Sequence, residues 1–154
     1  MKTSDVTFEY PILGISGDND LWGFHDYRQL TTCGRRTLRD DMQRDMELVD
    51  AGGRRWKVTG ICRLGRSRSL LPWLFWSLLA GSTYSVEQDL EPLEPLTLDE
   101  VKDRVCSAMK AHPEFWCDDP ESEAELSQRI RKVRRVKKIA GIDDVLGLDT
   151  FEPY

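Results

Sequence analysis

Hydrophobic and polar positions follow two different rhythms along this chain, and the change falls near Pro95. Before it, apolar residues alternate or cluster as they do in strands. "TFEYPILGIS" and "LWGFHDY" carry aromatic and β-branched residues on either side of the polar stretch "GDND", which predicts two strands joined by a turn. The stretch "MELVDAGGRRWKVTGICRL" is the clearest local signal. Two β-rich arms flank Asp50-Ala51-Gly52-Gly53, and Trp56, Val58, Gly60 and Cys62 alternate with Lys57, Thr59, Ile61 and Arg63, which predicts a hairpin with a short glycine turn. "TYSVEQDLEP" alternates again and predicts a later strand carrying Tyr84, Val86 and Leu90. "GRRTLRDDMQRDM" fits either a short helix or an extended polar edge.

After Pro95 the period becomes helical. Thr97 and Glu100 have the spacing of a capping box, and Val101, Val105, Ala108 and Met109 follow on one helical face until Pro113 stops it. Asp119 before Pro120 predicts a second helix start, with Pro120 at the first helical position. Leu126, Ile130, Val133 and Val136 form its stripe, and Gly141 is the expected stop. "IDDVLGL" predicts a short terminal turn. Strands followed by helices, without β-α-β alternation, define an α+β fold. Its antiparallel sheet comes from the N-terminal half and is covered by two or three C-terminal helices. The expected organisation is one domain over 1–154, strand-rich over 8–92 and helical over 97–147.

One segment obeys neither rhythm. In "SRSLLPWLFWSLLAGSTYS" only Ser77 is polar between Leu70 and Gly81, and Arg63, Arg66 and Arg68 precede it. As a helix it would span about 18 Å at 1.5 Å per residue, too short for a hydrocarbon core of about 30 Å. No membrane span is expected. An interfacial helix needs a polar face, whereas the apolar residues here point in every direction. Such an element must be covered on all sides, either inside the fold or by another protein. Aromatic residues beside arginines are enriched at protein interfaces. Trp73, Phe75, Trp76, Arg66 and Arg68 are therefore the candidate partner-binding residues, with a homodimer as one form of that association. Core and interface both remain open for 70–81.

Composition narrows the picture. The chain has 154 residues, a formal net charge of −5 and a pI of about 5.1, so its overall field does not invite nucleic acid. Cys33, Cys62, Cys106 and Cys117 are widely spaced, without a C-x-x-C pair, unlike a small secreted disulfide scaffold. The N-terminal "MKTSDVTFEYPILG" lacks the apolar core of a signal peptide. A cytoplasmic location is expected.

Chemistry-bearing residues are sparse. His25 and His112 lack carboxylate or thiolate company at ligand spacing, so no metal and no cofactor is expected. Asp26 beside His25 would face the other side of a strand, and His112 sits where a cation favours a helix C-terminus. Asp18 and Asp20 read as a solvated loop. Cys33 lies near Arg35 and Arg36, which would lower its pKa. The strongest charge signal is the run Arg129, Arg131, Lys132, Arg134, Arg135, Lys137 and Lys138. Glu121, Glu123 and Glu125 precede it, so the helix complements its own dipole as a solvated cover. An acidic protein or a phosphate backbone are the other readings of that run.

Together, the "LWGFHDY" strand, the "ELVDAGGRRWKV" hairpin and the "LTLDEVKDRVCSAMKAHPEFW" helix resemble in general make-up the small bacterial immunity proteins of polymorphic or contact-delivered toxin systems. That resemblance implies a non-enzymatic protein that binds a cognate toxin and occludes its active site. A basic, nuclease-like toxin would suit the acidic chain through electrostatic steering. The alternative is a nucleic-acid-binding or regulatory protein using the basic helix 129–138. A third is an enzyme whose site is assembled from residues distant in sequence.

Overall fold

Apolar residues at nearly every position of "ILGI" and "ELV" call for strands buried on both faces, and in the computed structural model they form the centre of the sheet. Residues 1–66, 83–119 and 121–149 are described. Six strands, β1 (Ile12–Ile15), β2 (Leu21–Phe24), β3 (Thr32–Gly34), β4 (Glu47–Val49), β5 (Arg55–Arg66) and β6 (Thr83–Leu93), make one sheet of order β2-β1-β4-β5-β6-β3. All its pairings are antiparallel. Helices α1 (Tyr27–Leu30) and α2 (Arg35–Arg39) flank β3, while α3 (Leu98–Ala111), α4 (Glu123–Arg135) and α5 (Ala140–Leu146) follow the strands. The fold is α+β. No described helix is long and apolar enough to cross a membrane.

Both expected hairpins form. Ile15 pairs with Leu21 across the "GDND" loop, and Leu48 pairs with Trp56 across the glycine turn. Gly53 is required in that turn: its φ is +86°, and a Cβ there would lie 2.5 Å from the Leu96 carbonyl oxygen. Asp50, fully buried, organises the same turn. Its carboxylate accepts the backbone N–H groups of Gly52 and Arg54 at 3.0 Å and pairs with the Arg54 guanidinium at 2.7 Å.

The sheet separates two apolar cores. On one face Leu13, Ile15, Leu21 and Val49 pack against Val101, Val105, Ala108 and Met109 of α3, Val133 of α4, and Ile142 and Leu146 of α5. On the other, Phe8, Ile12, Phe24, Leu30, Met46, Leu48, Trp56, Val58 and Leu90 pack together. The short α1 touches both edge strands, β2 and β3, and so curls the sheet around this second core. A buried polar set completes it. Gln88 Nε2 donates to the Leu30 carbonyl at 2.7 Å and to Gln43 Oε1 at 3.1 Å, and Thr3 Oγ1 donates to Gln88 Oε1 at 2.6 Å.

The α3 capping box forms as its spacing predicts, with Thr97 accepting the Glu100 N–H and Glu100 bonding back to Thr97 N–H. Three local expectations are corrected, and one open alternative is settled in favour of the short helix. The ambiguous "GRRTLRDDMQRDM" contains the end of β3 and then α2. The helix expected to start at Pro120 begins at Glu123, because Ser122 supplies the capping oxygen to the Glu125 N–H. It ends at Arg135, where Val136 turns extended; Gly141 lies inside α5, and Gly147 at φ +60° is the stop. Finally, the alternation along β5 does not run through. A register shift between Val58 and Gly60 moves Ile61 and Arg63 onto the face of Val58, and a second shift follows between Arg63 and Gly65.

Candidate functional site

The candidate partner residues Trp73, Phe75, Trp76 and Arg68 lie outside the described residues. Of Arg66 only the backbone is described, in register with Tyr84 at the last pair of β5 and β6. That pair is the last one described before 67–82 in the chain, so its surroundings are where a site can be built from described side chains.

Along β6, Tyr84, Val86, Gln88 and Leu90 share one face, since strand side chains alternate. The register places Arg63 opposite Val86 and Ile61 opposite Gln88, in the same row. The second core therefore continues outward along this face and ends in an open groove of about 370 Å³, lined by Arg35, Leu38, Arg39, Ile61, Arg63 and Tyr84. The α2 helix brings in Arg35, Leu38 and Arg39 because β3 runs beside the start of β6, with Gly34 paired to Thr83. Arg63 lies over the Tyr84 ring, 4.2 Å from guanidinium carbon to centroid, a cation–π contact that orients the charge without neutralising it. Arg39 is held by Asp40 through bonds of 2.7 and 3.0 Å, which push its pKa up. Among the described residues no carboxylate lines the groove. In a chain of net charge −5, the Arg35 and Arg63 guanidinium groups, with Arg39 already held by Asp40 beside them, form a local reversal of sign around one exposed hollow. Such a hollow can take carboxylates or phosphates, for which guanidinium is the preferred partner.

Sequence reasoning missed this groove as a unit. In the sequence Arg63 stands before the apolar segment, Arg35 beside Cys33, and Tyr84 on a separate strand. The bulge that turns Arg63 into the row of Tyr84 falls at Gly60, and that glycine inside a strand is the one local signal that could have marked it.

The other candidates resolve differently. His25 is not isolated: its Nε2 lies 2.8 Å from Asp143 Oδ2 and its Nδ1 3.1 Å from Gln29 Oε1. Asp143 is buried, and a Cβ on Gly23 would come within 2.6 Å of its Oδ1. With both ring nitrogens engaged, His25 has the geometry of a clasp tying the end of β2 to α5. His112 caps α3 and reaches the Asp18 carbonyl at 2.7 Å and Glu114 at 3.1 Å; these contacts raise its pKa, the Asp18 carbonyl most of all. The Cys33 expectation is overturned. Its thiol is fully buried on β3, and burial pushes its pKa up to about 11 despite the neighbouring arginines.

Of the basic run, Arg134 pairs with Asp103 of α3. Arg131, Lys132, Arg135, Lys137 and Lys138 are exposed. Arg129 instead borders a second hollow of about 430 Å³, together with Asp20, Trp22, Phe115, Trp116 and Asp149. All four cysteines are free thiols. Among the described residues no cluster of three His, Cys, Asp or Glu side chains could hold a metal ion.

Comparison with protein-family models, with curated proteins and with solved structures found no match to this chain.

Proposed function

We propose that this chain is a non-enzymatic binding protein, and specifically an immunity protein that binds and neutralises a cognate bacterial toxin in the cytoplasm of the producing cell. The observation that carries the reading is the arginine groove. It is open, has no lining acid among the described residues, and lies beside the last pair described before the tryptophan-bearing segment, whose composition is that of an interface. Arg66 and Arg68 extend the same basic character into that segment. Two ranges of electrostatics operate. The net charge of −5 steers a basic protein such as a nuclease toward the chain. At contact, the groove selects a carboxylate-bearing part of it.

The test is co-expression with the product of the reading frame beside the gene, under conditions where that product arrests growth if it is a toxin. Wild type restores growth and binds the toxin in isothermal titration. The double substitution Trp73→Ser with Trp76→Ser, or Arg35→Glu with Arg63→Glu, abolishes binding while leaving the circular dichroism spectrum unchanged. No rescue of growth and no binding to the neighbouring product would overturn the reading.

A further inference from the structure

β5 is twelve residues long, yet among the described residues it has a neighbour on both sides only at its beginning. Its inner side pairs with β4 as far as Glu47 and Lys57, and the residues just before β4 add Asp45 N–H to the Val58 carbonyl and Val58 N–H to the Met46 carbonyl. From Gly60 to Arg66 the pairing is with β6 alone. An antiparallel strand sends its backbone groups alternately to either side. Among the described residues, this stretch therefore leaves a row of N–H and C=O groups with no strand beside it. Cys62, Arg63 and Leu64 on it are exposed, Leu64 at 65%.

The edge is not neutral. Bulges and cations on an edge strand discourage pairing with an identical edge. Here two register shifts interrupt the strand, and self-pairing would bring the exposed Arg63 of one copy toward that of another. Like charges across a strand pair are destabilising, whereas opposite charges stabilise it. The guanidinium groups of the groove lie on the same sheet face as Arg63. The edge thus discriminates against a second copy of this chain and in favour of an acidic strand.

We propose that the Gly60–Arg66 edge of β5 takes up an extended acidic segment of the partner protein as an added strand, with alternate carboxylates facing the arginine groove. Main-chain hydrogen bonds supply the affinity and the groove supplies the selection, as in strand addition generally. The inference rests on the binding-protein reading above and names the part of the partner that is held.

The probe is a short labelled peptide alternating valine and glutamate. Its controls are a valine–lysine counterpart and a valine–glutamate peptide N-methylated on the residues that would face β5. Fluorescence anisotropy and amide hydrogen exchange are read on the full-length protein. The glutamate peptide binds and slows exchange at Gly60–Arg66, while both controls fail to bind; Arg63→Glu weakens binding at least about tenfold, the effect of losing one favourable charge pair. Should that variant misfold, the exchange measurement on wild type still decides. Equal binding of the lysine peptide, binding without slowed exchange in 60–66, or no binding overturns the proposal. A cognate toxin bound with these amides unprotected removes this docking mode and leaves the binding-protein reading intact. Peptide uptake at the edge in a protein that neutralises nothing removes that reading and leaves the edge.

Discussion

Lys102 of α3 donates its ammonium group to the backbone carbonyl of Arg134, 3.1 Å away in the last turn of α4. The Arg134 side chain returns across the same interface to Asp103. Lys102 is only 7% exposed, and its charge sits where the partial negative charge of a helix C-terminus gathers. Lys102→Met keeps the packing of the stem but leaves that carbonyl without its donor. The expected cost is about 2 kcal/mol, in the range for a hydrogen bond to a charged group. Asp103→Asn removes only an exposed pair and should cost less than about 1 kcal/mol. Urea unfolding of the two variants checks the order; equal losses would show that the carbonyl contact contributes nothing special.

His112 links the C-terminal end of α3 to the β1–β2 loop, and its pKa is raised above 6.5 by the Asp18 carbonyl first and Glu114 second. A raised folded pKa means that the native state holds the proton more tightly than the unfolded chain. The contribution is fully present below the unfolded value and is lost as pH rises through the folded one. Glu114 acts in the opposite sense: its pKa is lowered, with the His112 contact among the causes, so its share is lost as pH falls through that lowered value. The link is strongest between the two. Proton NMR should place the His112 midpoint above that of a model histidine. His112→Gln should flatten the stability profile on the alkaline side of pH 6.5.

Thiol labelling distinguishes the four cysteines. Cys62 is exposed, whereas Cys33, Cys106 and Cys117 are buried, with burial raising the pKa of each. Since the thiolate is the reacting form, native protein at mildly alkaline pH should release one equivalent of chromophore from a disulfide reagent promptly, and the rest only on unfolding. Cys62→Ser should abolish the prompt phase. Prompt reaction of Cys33 would contradict its placement on β3.

The basic run separates a protein partner from a nucleic-acid partner. Arg131, Lys132, Arg135, Lys137 and Lys138 are exposed, but no aromatic side chain interleaves them to stack on bases. At about 0.15 M salt, where screening sets in beyond roughly 8 Å, wild type should pass unretained through DNA and RNA columns. Reversing Arg131, Arg134 and Arg135 to glutamate should cost modest stability, through the helix dipole and the lost Asp103 contact. Salt-sensitive retention of wild type would instead favour the nucleic-acid reading.

What could be read from the sequence was whatever depends on neighbours in the chain. The Thr97–Glu100 box, the glycine turn after Asp50 and the α3 stripe are each decided within a few residues, and each forms as expected. Where two local signals competed, the order was not legible: Asp119-Pro120 and Ser122 both mark a helix start, and the serine prevails. Long-range features left little trace in any window. The bulge after Val58 is marked only by Gly60 inside the strand, and its effect on Arg63 shows only in the pairing with β6. His25 and Asp143 meet across 118 positions, and Lys102 is buried because the end of α4 lies over it. The groove needed all three kinds of information, which is why its arginines were visible singly and not together.

The outer side of β2 is met by the Gly23 N–H donating to the Asp149 carbonyl at 3.0 Å. On β6, Met1 pairs with Leu90 and Lys2 with Asp89. Because synthesis runs from the N-terminal side, Met1 and Lys2 wait for 89 and 90 to emerge, and β2 waits for 149. The early strands therefore spend most of translation with open flanks, a state in which strands are prone to join the wrong partner. The Leu148–Asp149 stretch acts as a closing latch on β2. A nascent chain stalled after α3 should stick to its neighbours, and one released with the Leu148–Asp149 stretch in place should not.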